Sequence, residues 1–262
     1  MCRDGALHAE GLFMATNYDE IAELYRDSKQ APWRHHIELY SLLELLGDIS
    51  GAAVLDLACG DGHYTRILKR LGAAHVVGVD LSPRMVELAR AAEQDEPLGL
   101  EYFAADARDH QFQGCRDVVH AAYLLNYARS GDELFSMARA IHRGLKPGGR
   151  LVTVNNNPMQ QVGSFASSRK YGFIKSVDGE PRNGSAILYI FDQDGDEFVI
   201  ENYHLDAEMH LSVFREAGFS DVKWHLPQLS PVESCTRAEY WADFLRDPPI
   251  VLLSCTKQVS AN

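Results

Sequence analysis

The sequence predicts an α/β fold with a doubly wound parallel sheet. Three observations carry that expectation. Five short, β-rich apolar runs, Val54–Leu57, His75–Asp80, Glu101–Ala104, Asp117–Ala121 and Arg150–Val154, recur between helix-like stretches. The segments between them, Tyr64–Leu71, Ser82–Glu93 and Asp132–Leu145, place apolar residues at three- and four-residue intervals. Small residues, Ala58, Gly60 and Gly62, join the first run to the first of those helices.

Taken in order, Tyr18, Ile21, Ala22 and Tyr25, then Ile37, Tyr40, Leu43 and Leu46, keep helical spacing and predict two helices before the first strand. Ser82 and Pro83 open the second crossover helix as N-cap and first-turn proline. Lys146-Pro147-Gly148-Gly149 ends the third helix and turns into a strand. Beyond Val154, the polar, glycine-containing and aromatic segment 155–184 is too long for a simple connection and reads as a lid or pocket wall. Ala186–Asp192 and Glu197–Leu205 alternate around Asp194-Gly195, which predicts a β-hairpin. Helices at Asp206–Ala217 and Arg237–Arg246 and strands at Val222–Leu226 and Ile250–Thr256 complete the chain. With no repeat, low-complexity tract or linker, one domain is expected over 1–262: tail and helical cap 1–46, core 50–155, lid and hairpin 155–205, and the rest of the core 206–262.

Composition sets limits on partners. At 46% hydrophobic and 24% charged residues the chain can bury a core, so disorder, collagen and coiled coil are poor descriptions. Lys+Arg of 25 against Asp+Glu of 37 leaves a net charge of −12, which repels phosphate backbones and anionic lipid heads. A small-molecule substrate is expected, with no nucleic acid and no membrane, and a homo-oligomer is compatible. No apolar run approaches the ~20 residues of a membrane span, and 1–16 has no continuous apolar signal region, so a cytoplasmic location is expected. Cys2, Cys59, Cys115, Cys235 and Cys255 are odd in number and scattered, which suggests reduced packing residues with neither a disulfide framework nor a metal site. For the residues before Met14, composition leaves a mobile tail, an expression remnant and a swapped arm equally open.

The stretch from Val54 to Tyr64 is a strand, a small-residue turn and a helix, and its glycines let the backbone approach a ligand. Twenty residues past Gly60, the second strand ends in Asp80, where a carboxylate can accept both hydroxyls of a ribose. Ala104-Ala105-Asp106-Ala107 closes the third strand where an adenine and its amino group would lie. Asp56 would sit where the pyrophosphate of a dinucleotide belongs and would repel it, whereas it can pair with the ammonium of an amino-acid tail, directly or through water. An adenosine ligand with a zwitterionic tail fits better than a nicotinamide dinucleotide.

With these residues in view, the chain resembles the class I S-adenosylmethionine-dependent methyltransferases. The matching pieces are Asp56-Leu57-Ala58-Cys59-Gly60-Asp61-Gly62, Gly78-Val79-Asp80-Leu81-Ser82, Ala105-Asp106-Ala107 and Leu145-Lys146-Pro147-Gly148-Gly149, covering roughly residues 50–155. Ala58 stands where the family has its first glycine. The resemblance implies a Rossmann-like seven-stranded sheet, mostly parallel with an antiparallel last strand, plus an N-terminal helical cap and a lid or hairpin after the fifth strand. It implies S-adenosyl-L-methionine as cofactor. Asp56, Ala58 and Gly60 would then face its methionine part, Asp80 the ribose, Asp106 the adenine amino group, and Leu81, Met85 and Ala107 the adenine faces. Ala122, after the fourth strand, joins this set. Small-molecule members carry a tyrosine and an arginine on leading helices for the cofactor carboxylate, which here would be Tyr25 and Arg34.

The longer pattern is similar in style to small-molecule methyltransferases of secondary metabolism, such as those of toxoflavin biosynthesis. Aromatic and amide residues gather where an acceptor would lie, and Trp33, Tyr123, Asn126, Tyr127, Asn156, Phe165 and Tyr171 are the candidate substrate contacts. An aromatic or heterocyclic acceptor methylated on nitrogen or carbon would need mainly proximity and orientation. Methylation on oxygen would call for a base, with His204 preferred among the histidines, and Tyr18 is a further catalytic candidate. A nucleoside-binding module without turnover remains the alternative from another class.

Overall fold

The computed structural model of the protein describes residues 17–109, 112–193 and 195–259. The expectations for residues 1–16, Cys2 included, and for Asp194 in the hairpin turn lie outside the described residues. In α1 (Tyr18–Ser28) the Asn17 side chain accepts the Asp19 N–H at 3.2 Å, supplying the N-cap. A π-helical stretch, Arg34–Leu39, continues directly into α2 (Tyr40–Leu46).

The alternation that follows is β1 (Ala53–Leu57), α3 (His63–Arg70), β2 (His75–Asp80), α4 (Pro83–Asp95), β3 (Glu101–Ala104), β4 (Arg116–His120), a 3-10 turn at Leu124–Tyr127, α5 (Gly131–Gly144) and β5 (Leu145–Asn156). Ser82 accepts the Met85 N–H at 3.1 Å and Pro83 is the first residue of α4, as the dipeptide predicts. A 3-10 helix at Val162–Tyr171 leads into β6 (Phe173–Val177), β7 (Ala186–Gln193) and β8 (Asp196–Tyr203). The remainder is α6 (Ala207–Glu216), β9 (Phe219–His225), α7 (Pro231–Thr236), α8 (Ala238–Arg246) and β10 (Ile250–Lys257).

The large sheet has seven strands in the order β3-β2-β1-β4-β5-β10-β9. Pairings from β3 across to β5 are parallel, and β10 runs antiparallel to both β5 and β9. Its central strands are apolar on both faces because successive side chains enter different cores. Val54, Val76, Val118, Val152 and Leu252 join one cluster, with Leu46 and Trp241. Leu55, Val77, Val119, Leu151 and Leu253 join the other, with Ile141 and Phe214. The strand order reverses between β1 and β4, which opens a crevice at their carboxyl ends.

Three expectations change. The segment expected as a lid is partly regular: it carries the 3-10 helix and β6, which pairs with β7 to turn the hairpin into a three-stranded antiparallel sheet. The sequence reading passed over β6, five residues long, and α7, six residues long, because neither is long enough to show a period. The turn at Lys146–Gly149 is absorbed into the start of β5. There a Cβ on Gly149 would lie 2.9 Å from Lys146 O and 3.0 Å from Arg116 O, so glycine is required by close backbone contact.

Candidate active site

The turn after β1 is built from left-handed residues: Ala58 and Gly60 at φ +56° and Gly62 at +81°. For Ala58 this conformation costs about 1 kcal/mol or more that glycine would not incur. A Cβ on Gly62 would lie 2.5 Å from the Tyr102 hydroxyl, so the turn rests directly on that ring. The Gly60 N–H donates to Asp80 Oδ2 at 2.7 Å, and the Ser82 N–H donates to Oδ1 at 2.9 Å. Each oxygen retains a lone pair for a further donor. Burial pushes the Asp80 carboxyl above its usual range, opposed by those two hydrogen bonds.

Asp56 is only 1% exposed, and both its oxygens are engaged from within the protein. Thr65 Oγ1 donates to Oδ2 at 2.6 Å, and His120 Nδ1 lies 2.7 Å from Oδ1. Asp56 thus lines the site as the centre of a buried Thr65–Asp56–His120 chain.

The helical cap supplies charge and aromatic surface. Arg34 Nη1 reaches Glu38 Oε2 at 3.2 Å, and the hydroxyls of Tyr64 and Tyr123 donate to the two oxygens of that glutamate. Tyr123 adopts this position at φ +63°. Lys29 Nζ donates to Asp61 Oδ1 at 2.6 Å and stands 5.1 Å from the Tyr25 ring centre. Burial works against the lysine's charge, but the Asp61 carboxylate holds the amine above its usual range. Tyr18 and Tyr127 share a hydroxyl–hydroxyl hydrogen bond, and Tyr18 meets Tyr25 edge-on at 5.1 Å. Burial raises both Tyr18 and Tyr127, so they are neutral phenols at physiological pH.

These groups enclose a cavity of about 380 Å³ at the carboxyl ends of β1, β2 and β4. It has the size of a small-molecule site. A smaller cleft shares Tyr18, Tyr25, Arg34, Tyr123 and Tyr127 with it and extends to Trp33 and Asn156. A polar chamber meets the main cavity at Tyr203 and the cleft at Asn156 and Tyr189.

Comparison with known proteins agrees with this geometry. Residues 54–149 match the model of the methyltransferase domain family. The chain is 30% identical over 148 residues to the demethylmenaquinone methyltransferase of Lactococcus lactis subsp. lactis, covering 55% of this chain and 56% of that protein. The chain thus spans about half the length of that relative. It is 26% identical over 184 residues to the N-demethylindolmycin N-methyltransferase of Streptomyces griseus, covering 66% and 72% respectively. In fold it resembles the crystal structure of an S-adenosylmethionine-dependent methyltransferase from Mesorhizobium loti. The TM-score is 0.61 at 24% identity, over 84% of this chain and 97% of that one.

Around the main cavity the structure brings together Tyr25, Arg34, Asp56, Ala58, Gly60, Asp80, Leu81, Met85, Asp106, Ala107 and Ala122, along with Tyr18, Tyr123 and Tyr127. Leu81 is 70% exposed beside the largely buried Asp80, an apolar surface open to a flat ring. Asp106 is held by Arg108, with Nη2 to Oδ2 at 2.6 Å. Trp33 and Asn156 line the cleft, and Asn126, Phe165 and His204 line the polar chamber instead of the main cavity. Tyr171 is displaced from the candidate set. It stacks on Trp241 at 5.2 Å and donates to Tyr240 O at 2.6 Å, so it packs the core under α8.

Several lining residues escaped the sequence reading. Lys29, Tyr64, Arg129 and Glu201 all face the main cavity. Lys29 and Tyr64 belong to helical patterns that read as ordinary cap and crossover faces, and only their ion-pair and hydroxyl partners reveal them. The alternation of β8 was legible, but which of its faces looks into the site depends on how the small sheet is placed.

Proposed function

We propose that this chain transfers the methyl group of S-adenosylmethionine to a small aromatic or heterocyclic natural-product acceptor, on nitrogen or carbon in preference to oxygen. The observation that carries this reading is the continuity from Asp80, through the tyrosine-lined main cavity, into the aromatic cleft. The residues fit the cofactor. Asp80 has lone pairs for a ribose, Leu81, Met85 and Ala107 offer apolar surface to an adenine, and Arg34 Nε is buried without a partner among the described residues, free for a carboxylate. When bound, S-adenosylmethionine supplies an electrophilic methyl group on a sulfonium.

The chain's own contribution is orientation. Tyr18, Tyr25 and Tyr127 line the cationic region with aromatic rings, the hydroxyls of Tyr18 and Tyr127 held neutral by burial, and exclude water. Among the described residues no histidine lines the main cavity, and His204, pushed toward its neutral form by burial, lines the chamber. That arrangement supports an acceptor which needs no strong base. The relatives, a demethylmenaquinone methyltransferase and an N-demethylindolmycin N-methyltransferase, accord by name with acceptors carrying a ring. A cytoplasmic location and freedom from nucleic-acid and membrane partners belong to the same reading. Among the described residues no helix is long and apolar enough to cross a membrane.

The test is mass spectrometry of reactions containing methyl-labelled S-adenosylmethionine and a panel of nitrogen heteroaromatics, phenols and prenylated indoles, with the methyl group located in each product. Methyl on ring nitrogen or carbon supports the reading, and methyl on phenolic oxygen alone overturns the preference. Tight S-adenosylhomocysteine binding with no product across the panel would favour a binding module.

A further inference from the structure

Among the described residues, the polar chamber behind Tyr203 contains hydrogen-bonding groups without a partner that the methyl-transfer site does not use. Asn126 is 5% exposed and Gln160 6%, and both line the chamber. Asn126 Oδ1 accepts the Asn156 N–H at 3.2 Å, which fixes the amide and leaves Nδ2 as a buried donor without an acceptor. Gln160 Nε2 donates to Asp247 O at 3.1 Å, which leaves Oε1 as a buried acceptor without a donor. Buried polar atoms are overwhelmingly paired, and leaving one unmet costs about 1–3 kcal/mol. Two of opposite sense on one small chamber describe a ligand complement.

Lys175 adds a third group, 5% exposed, with Nζ donating to Pro249 O at 2.7 Å and lying 5.0 Å from the Tyr189 ring centre. Among the described residues no carboxylate forms an ion pair with it. Burial pushes the amine down to about 7, with Asp247 opposing only in part, so the chamber does not require an anion to neutralise it. A hole for a carboxylate would present donors throughout, whereas this chamber also presents the fixed oxygen of Gln160. At about 30 Å³ it has room for a functional group and none for a ring.

We propose that this chamber is a subsite of the acceptor and takes an amide-type edge, a C=O beside an N–H as in a lactam or carboxamide, with Asn126 and Lys175 donating to the oxygen and Gln160 accepting from the nitrogen. The inference rests on the methyltransferase reading above, because the chamber shares Tyr203 with the main cavity and Asn156 and Tyr189 with the cleft, and so borders the space in which the acceptor would lie. It narrows the acceptor from any flat ring to one bearing that edge.

The test is calorimetric titration of the full chain, saturated with S-adenosylhomocysteine, with three probes: quinolin-2-one, which has the edge; quinoline, which lacks it; and quinoline-2-carboxylate, which is an anion. Quinolin-2-one should bind about tenfold or more tightly than quinoline. That preference should disappear in Gln160→Met and persist in part in Gln160→Glu, which keeps an oxygen acceptor. S-adenosylhomocysteine affinity should stay the same in both variants, and an Asn126→Leu chain stands in if Gln160→Met does not fold. Equal binding of quinolin-2-one and quinoline, tightest binding of the carboxylate, no binding of any probe, or a preference retained in Gln160→Met would each overturn the proposal. Failure of the parent chain to bind S-adenosylhomocysteine would instead overturn the underlying reading.

Discussion

Arg34 Nη1 lies 3.2 Å from Glu38 Oε2, one turn further along the same helical stretch, with 6% of the arginine side chain and none of the glutamate exposed. Burial opposes the charge on the guanidinium, and Glu38 beside it outweighs that effect, keeping Arg34 protonated. The pair also anchors Tyr64 and Tyr123, so one wall of the site is organised around a single carboxylate.

Arg34→Met should therefore destabilise the fold by about 3–5 kcal/mol, because it strands a buried negative charge. Adding Glu38→Gln should restore much of the loss. Urea unfolding of the two variants checks this, and an equal loss in both would mean that the arginine does not act through Glu38.

Asp80→Asn removes the charge while keeping one carbonyl oxygen for a backbone N–H. Affinity for S-adenosylhomocysteine should fall about 10- to 100-fold, the cost of weakening charged hydrogen bonds to two hydroxyls. Calorimetry on a variant with a native circular dichroism spectrum measures it. An unchanged affinity would take Asp80 out of the ribose contact.

The amine of Lys175 sits at about 7 in the folded protein, and in the unfolded chain it returns to the ordinary lysine range. Between those values the unfolded state binds more protons, so this group makes stability rise with pH from about 7 toward about 10 and imposes its full cost below about 7. Lys175→Met should melt above the parent chain at pH 7, with the difference narrowing by pH 9.5. A difference independent of pH would show that the lysine is not titrating in that window.

Ala58 offers a simpler test. Ala58→Gly should stabilise the chain by up to about 1 kcal/mol by removing the left-handed penalty, less the added freedom of glycine in the unfolded state. Ala58→Val should destabilise it and lower S-adenosylhomocysteine affinity, since a branched side chain fits that conformation poorly. Denaturant midpoints and calorimetry report both.

The sheet core was legible because its central strands bury both faces and announce themselves as apolar runs, and because Ser82, Pro83 and Gly62 are local signals for local geometry. Asp80 and Leu81 were legible for the same reason: a strand end and the residue after it sit at fixed places relative to the turn. Asp56 was placed correctly in the fold but its engagement was not foreseen, since Thr65 and His120 reach it from 9 and 64 residues away. Tyr171 shows the opposite failure. Its aromatic type suggested substrate contact, and only the packing of α8 against it shows a core residue. The partners of Lys29 and Glu38 depend on how the cap docks, which no periodicity encodes.

The antiparallel β10 lies between β5 and β9, bonded to β5 from Ile250 through Thr256 and to β9 from Leu252 through Lys257. During synthesis β9 leaves the ribosome before the only strand that can attach it to the sheet. The β9 edge, with α6 packed beside it, must wait as a detached unit until β10 threads in, so sheet closure is a late, long-range event. Lesions in β10 beyond Ile250, which lines the cleft, should therefore appear as slow maturation and aggregation of newly made chains, even though among the described residues that strand lends none to the main cavity.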